Sequence, residues 1–203
     1  MKKFAFVFPG QGSQTVNMLA DIATEFPEVN KTFSEASSVL GYDLWTLVEH
    51  GPAELLDKTA HTQPALLTAS VAIWRILQSR KKIQPAFLAG HSLGEYAALV
   101  AADALDFQDA ILLVALRGQY MQSAVKPGEG AMAAIVGLED HAVVEICKNA
   151  AEIGVVSPAN YNSIGQVVIA GETPAVEKAI ELAKSPVQNW RKKFRSVCHR
   201  IVC

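Results

Sequence analysis

Apolar residues crowd Lys3 to Phe8 and stop at Pro9-Gly10, which predicts a short strand ending in a turn. From Thr15 to Phe26 the apolar positions are Val16, Leu19, Ile22, Ala23 and Phe26, a helical spacing, so the chain opens as strand, glycine turn, helix. Residues 28 to 57 read as short helices broken at Gly41 and at Gly51-Pro52. Pro64 sits where a first helical residue tolerates proline, and "ALLTASVAIWRILQ" after it is apolar on most faces, which predicts a buried helix. Ala86 to Ala89 is a second short strand, the glycine-flanked Ser92 a turn, and "EYAALVAA" a helix. A further helix spans about 107 to 123.

The pattern changes at "KPGEG", residues 126 to 130, a boundary that predicts units at 1–125 and 126–186. Beyond it the expected order is strand (131 to 136), helix (140 to 151), strand (154 to 157), strand (166 to 170) and helix (173 to 184). This β-α-β-β-α run is a split βαβ unit one strand short. The missing strand should fall at about 187 to 194, where "VQNWRKKF" carries three consecutive cations and no alternation. Residues 187–203 therefore read as an atypical basic tail.

Composition adds limits to this outline. Half of the 203 residues are hydrophobic and 19% are charged, enough to bury a sizeable core and too apolar for disorder. No apolar run is long enough to span a bilayer, and the first one, cut by Pro9, is too short for a signal peptide. Cys147, Cys198 and Cys203 have neither paired nor metal-ligand spacing, which fits a reducing compartment. The expectation is a cytoplasmic chain with no membrane partner and no bound metal. The formal charge of -2 is uneven: residues 184 to 203 hold six Lys/Arg and no Asp/Glu, leaving 12 cations against 20 carboxylates before them, or -8. Such a tail suggests nucleic acid or an acidic partner, or else foreign sequence at a broken end.

Chemistry concentrates in two glycine turns. Gly90-His91-Ser92-Leu93-Gly94 matches G-x-S-x-G with a predicted strand before and a helix after, the context in which a serine stands exposed on a tight turn as a nucleophile. The bland alternative is a glycine-rich turn with an incidental serine. The helix start beyond Ser92 offers backbone N–H groups to an oxyanion, Leu93 N–H first among them. Gly10-Gln11-Gly12-Ser13-Gln14 has the same strand-to-helix setting but lacks dinucleotide spacing. In a parallel sheet the two loops would face one crevice, where Gln11 N–H could complete an oxyanion hole. Arg117 interrupts an apolar helix and needs an anionic partner: a structural acid such as Asp103, Asp106 or Asp109, or a substrate carboxylate held by a bidentate fork. For a base there are five histidines. His91 adjoins the serine, His50 and His61 precede it, His141 lies on an amphipathic helix, and His199 comes late in the chain, inside the cationic tail.

Taken together, "FVFPGQGSQ", "TQPALLTASVA", "AGHSLGEYAALV", Arg117 and "NYNSIGQVVIAG" resemble the malonyl-CoA:acyl carrier protein transacylases of bacterial type II fatty-acid synthesis, almost without gaps from Phe4 to about Lys184. The resemblance implies an α/β chain: an α/β-hydrolase-like parallel-sheet domain carrying an inserted ferredoxin-like small domain, both incomplete at the C-terminus. It implies that Ser92 takes a malonyl group from malonyl-CoA and passes it to the phosphopantetheine thiol of acyl carrier protein. Gln11 and Leu93 would supply the oxyanion-hole N–H groups, Arg117 would bind the malonyl carboxylate, and Asn160 and Asn162 would lie near the pocket. Malonyl-CoA is then a substrate and no cofactor is required. The partners expected are malonyl-CoA and acyl carrier protein rather than nucleic acid, and the chain, if intact, is expected to be a monomer.

The resemblance weakens after Lys184. The family continues with an apolar strand, a Ser-His pair whose histidine is the base, and a further segment that returns to the larger domain. "SPVQNWRKKFRSVCHRIVC" does not read as that strand. The expectation is a truncated or frame-altered product in which His199 is the residue nearest the base position. Two alternatives stay open: a serine esterase or thioesterase using the same turn, and a catalytically inactive fragment of the transferase.

Overall fold

A computed structural model of the chain describes residues 3–81, 83–126, 128–184 and, as backbone, the strand 197–201. The fold is α/β, in two compact units, residues 1–124 and 125–203. Each has its own hydrophobic core.

The first unit runs β1 (Ala5–Phe8), α1 (Ala20–Glu25), α2 (Pro27–Leu40), α3 (Leu44–His50), α4 (Ala53–Leu56), α5 (Thr59–Lys81), β2 (Phe87–Gly90), α6 (Gly94–Ala101) and α7 (Phe107–Ser123). β1 and β2 pair in parallel, Ala5 opposite Phe87 and Phe8 opposite Gly90, so their carboxyl ends finish side by side. Among the described residues they form a two-stranded sheet. The core lies among the helices, where Phe33, Leu44, Leu67 and Ile111 are wholly buried and Phe33 meets Trp45 edge to face at 4.9 Å. The start of α7 is fixed by Asp106, whose Oδ1 accepts from the backbone N–H groups of Gln108 and Asp109 at 2.8 and 3.3 Å.

Two helix starts differ from the sequence reading. The helix expected from Thr15 begins at Ala20, because Asn17 and Leu19 both take positive φ and Asn17 N–H is drawn to Val48 O at 2.8 Å. Pro64 is not a first helical residue: α5 starts at Thr59, one turn earlier, and the ring lies inside the helix. That extra turn is secured from outside the helix, by Thr62 Oγ1 donating to Leu56 O at 2.6 Å.

The second unit runs β3 (Gly130–Val136), α8 (Asp140–Ala150), β4 (Val156–Ser163), β5 (Gln166–Glu172), α9 (Thr173–Lys184) and β6 (Val197–Ile201). Its antiparallel sheet has the order β4-β5-β3-β6. Alternate residues of β3 (Ala131, Ala133, Ile135) are buried in one core with Ile146 of α8 and Val176 of α9. Pro158, which cannot donate to a ladder, sits on the edge strand β4, whose register shifts twice, between Pro158 and Asn160 and between Tyr161 and Ser163.

The expectation of a unit one strand short is corrected here. A fourth strand stands at 197–201, pairing Val136 with Val197 and Met132 with Ile201. The strand's sequence is Val-Cys-His-Arg-Ile, with Val197, Cys198 and Ile201 as its apolar positions. The window at 187 to 194, with the rest of the basic tail outside 197–201, lies outside the described residues.

Cys147 is buried in the second core, and burial pushes its thiol up to about 11. A thiol raised in the folded state is neutral at ordinary pH, so its contribution to stability is intact below the usual thiol range and is lost as pH climbs toward 11. Iodoacetamide at pH 8 should leave the Cys147 peptide unmodified until the protein is unfolded, as read by mass spectrometry. Rapid native-state alkylation would show that the second core opens readily.

Candidate functional site

Two loops meet at the carboxyl ends of β1 and β2. His91 N–H donates to Phe8 O at 3.1 Å, continuing the strand pairing one residue further, and a Cβ at Gly10 would stand 2.9 Å from His91 O. Gly90 and Gly94 are the tightest points. A Cβ at Gly90 would overlap the Gly94 backbone, and one at Gly94 would overlap Phe8. Between them Ser92 takes φ 53°, a left-handed conformation rare outside glycine. Strand, strained serine and immediate helix are the features of a nucleophile elbow. Leu93 follows at the N-cap of α6, fully buried, so its main chain is held at the start of that helix.

On the other loop, Gln11 is exposed and is tied down through its side chain, with Nε2 donating to Thr59 Oγ1 at 3.4 Å. Gln14 braces the same loop: its Oε1 accepts from Gly12 N–H at 2.8 Å and its Nε2 donates to Asp57 Oδ1 at 2.9 Å.

Arg117 reaches this corner from α7. It can do so because α7 and α5 approach closely at Gly118, where a Cβ would stand 2.7 Å from Thr59 O. The guanidinium is half-buried and donates from Nη2 to Ser92 Oγ at 2.9 Å and from Nη1 to Gln63 Oε1 at 2.7 Å, with Tyr96 beneath it at 5.8 Å. Neither hydrogen bond is to an acid. Of the acids near it in sequence, Asp106 caps α7 instead. The structure therefore brings Ser92 and Arg117 into contact and links Gln11 to them through Gln63, whose Nε2 lies 3.5 Å from Gln11 Oε1. Gln63 escapes a sequence reading that takes "TQP" as a helix boundary. The available signal was a glutamine in an otherwise apolar stretch.

The histidines divide differently. His50 faces Glu49 at 3.3 Å, and His61 lies 3.3 Å from the Tyr42 hydroxyl. Burial, and then the charge of Lys58, hold His61 below the usual imidazole range, and burial raises Tyr42 to about 12. His91 is exposed on the elbow, and His141 is exposed in the first turn of α8. His199 belongs to β6 of the second unit, opposite Ala134. Asn160 and Asn162 belong to β4 of that unit, where Asn160 is opposite Val168. Among the described residues no cluster of three or more His, Cys, Asp or Glu could hold a metal ion, and no helix is long and apolar enough to cross a membrane.

Among the described residues, a strained serine at a helix start stands beside a guanidinium whose two hydrogen bonds go to neutral groups, Ser92 and Gln63. In line with this geometry, the family model described as an acyl transferase domain matches residues 5–197, and the chain belongs to that family. The chain is 62% identical over 179 residues to malonyl CoA-acyl carrier protein transacylase of Escherichia coli strain K12, covering 88% of this chain and 58% of the relative. It is 63% identical over 185 residues to the protein of the same name from Haemophilus influenzae, covering 91% and 59%. Among solved structures, that of malonyl CoA-acyl carrier protein transacylase from Coxiella burnetii superposes with TM-score 0.92 at 54% identity, over 98% of this chain and 61% of that one. The chain thus spans about three-fifths of the length of the relatives it matches.

Proposed function

We propose that this chain carries the acyl-accepting site of a malonyl transferase, with Ser92 as nucleophile and Arg117 as the group that binds the malonyl carboxylate. The observation behind this reading is the pair of contacts made by one guanidinium, 2.9 Å to Ser92 Oγ and 2.7 Å to the neutral Gln63. A cation held over a nucleophile by an uncharged partner suits an acyl group that ends in an anion.

Ser92 Oγ attacks the thioester carbonyl of malonyl-CoA while its proton passes to a base, and the carbonyl oxygen becomes an oxyanion facing the N–H groups of Leu93 and Gln11. Collapse expels the CoA thiolate, which takes up a proton, and leaves malonyl-serine. The phosphopantetheine thiol of acyl carrier protein then attacks the ester, and the reverse proton path regenerates the serine. Thioester is exchanged for thioester, so the protein's task is to stabilise two tetrahedral intermediates and keep water from the acyl-serine. His199 is the candidate base, and Asn160 and Asn162 are candidates for the pocket wall. The relatives' name supports the substrate pair, both proteins being called malonyl CoA-acyl carrier protein transacylases. No cofactor takes part in this scheme. The first unit is read as α/β-hydrolase-like, from its parallel strands and elbow, and the second as ferredoxin-like, from its β-α-β-β-α-β order with β3 and β5 central.

The test is transfer of radiolabel from malonyl-CoA and acetyl-CoA to the protein. Malonyl label on the Ser92 peptide is expected, and Arg117→Ala should cut the malonyl-to-acetyl ratio by about 10- to 100-fold. An unchanged ratio would remove Arg117 from the reading. Rapid hydrolysis of neutral p-nitrophenyl esters with no malonyl transfer would favour an esterase.

A further inference from the structure

Among the described residues of the first unit, the wholly buried polar side chains are Thr32, Thr62, Thr68 and Gln63. The three threonines donate to main-chain carbonyls nearby: Thr32 to Glu28 O at 2.7 Å, Thr62 to Leu56 O at 2.6 Å, Thr68 to Pro64 O at 2.8 Å. Gln63 is different, because its hydrogen bonds all go to side chains of other segments: Arg117, Gln11 and Met121. Neither α5 nor the surrounding core uses its amide, and an apolar residue of the same size would fill the space. A buried amide kept for such partners belongs to the arrangement of the site rather than to the helix.

Its orientation is forced. A guanidinium only donates, so the amide oxygen must face Arg117, and the NH2 group is left to face Gln11 Oε1 at 3.5 Å and Met121 Sδ at 3.3 Å. The 2.7 Å bond holds Nη1 and thereby aims Nη2 at Ser92. An amide can do this without cancelling charge. A carboxylate in the same place would hold the guanidinium equally well but would pair with it, and the incoming anion would then meet a neutral pair.

We propose that Gln63 is a specificity-determining positioning residue, which steers Arg117 over Ser92 while leaving its charge free for the carboxylate of the acyl group. This rests on the reading of Arg117 given above. The prediction is electrostatic: Gln63→Glu should abolish preference for a charged acyl group without abolishing recognition of the thioester carrier.

Binding by calorimetry tests this on the chain as it stands. Acetyl-CoA and malonyl-CoA are supplied as their dethia analogues, in which a ketone replaces the thioester and no acyl group can pass to Ser92; each analogue is named by its parent thioester. The quantity read is the Kd for acetyl-CoA divided by the Kd for malonyl-CoA. The unsubstituted chain should give a ratio of at least about 10, and Arg117→Ala a ratio near one. Gln63→Glu should also bring the ratio to within about twofold of one while the Kd for acetyl-CoA stays within about threefold of its starting value. Gln63→Leu, which removes the steering but adds no charge, should give an intermediate ratio. A packing role alone would weaken both ligands alike and leave the ratio unmoved. A wild-type ratio in folded Gln63→Glu overturns the proposal, and if that variant does not fold, a wild-type ratio in Gln63→Leu does so. A ratio near one in the unsubstituted chain, or one that Arg117→Ala leaves high, overturns the underlying reading of Arg117 instead.

Discussion

Ser92→Ala should take up no label from malonyl-CoA, a fall of at least about a thousandfold in the rate of acylation, with little change in melting temperature. The separation of the two effects follows from the turn. Ser92 is held at φ 53° by what flanks it, since the backbone of Gly90 and Gly94 closes the elbow whatever stands between them. The side chain contributes one hydrogen bond, from Arg117, and removing Oγ leaves that guanidinium half-exposed and able to find water. Alanine in a left-handed conformation costs about as much as serine there, so the folded state is spared. Label that persists at the native rate in Ser92→Ala would move the nucleophile elsewhere.

Gly94→Ala should have the opposite character, with a large loss of stability from a single methyl group. The added Cβ would overlap the Phe8 carbonyl and stand 2.8 Å from Pro9 O, both main-chain atoms that cannot swing aside as a side chain would. Either α6 lifts from β1 or the end of β1 shifts, and each breaks the junction of the two loops. A cost of about 3 kcal/mol or more is expected, which would lower the melting temperature by roughly 10 °C. Hydrogen exchange would locate the damage, with protection falling in β1, β2 and α6 while the second core, built from separate residues, keeps its own. Unchanged protection at β1 would show that the elbow has more room than the structure gives it.

The parts legible in the sequence were those fixed by neighbours along the chain. α7 runs from Phe107 to Ser123, as its apolar spacing predicts, because Asp106 caps it from the adjacent position. α9 runs from Thr173 to Lys184 for the same local reason, an amphipathic pattern with alanine and valine on the buried face. What went astray was decided at a distance. α1 starts late because Asn17 bonds to Val48, thirty-one residues away. Pro64 is taken inside α5 because Leu56 O, outside that helix, secures the turn before it. β4 extends to Ser163, beyond the four residues its pattern suggests, because β5 accompanies it through two register shifts. The candidate site divides in the same way. The two glycine turns are local motifs, and their meeting followed from two parallel strands. Gln63 could not be read, since its importance is that Arg117 lies fifty-four residues further on and 2.7 Å away.

The hydrogen bond from Arg117 constrains where the Ser92 hydroxyl can point. A hydroxyl owns one hydrogen and two lone pairs. With a lone pair engaged by the guanidinium at 2.9 Å, the hydrogen has to point elsewhere, so the direction from which a base can collect it excludes the arginine side. The same contact supplies part of what an alkoxide needs before any base arrives, a cation already touching the oxygen. If, as proposed, an acyl carboxylate draws the guanidinium to itself, that support would be withdrawn from the serine and given to the substrate's far end. On that reading the site would trade reactivity for orientation as it fills, because one guanidinium would not serve both ends at full strength at once.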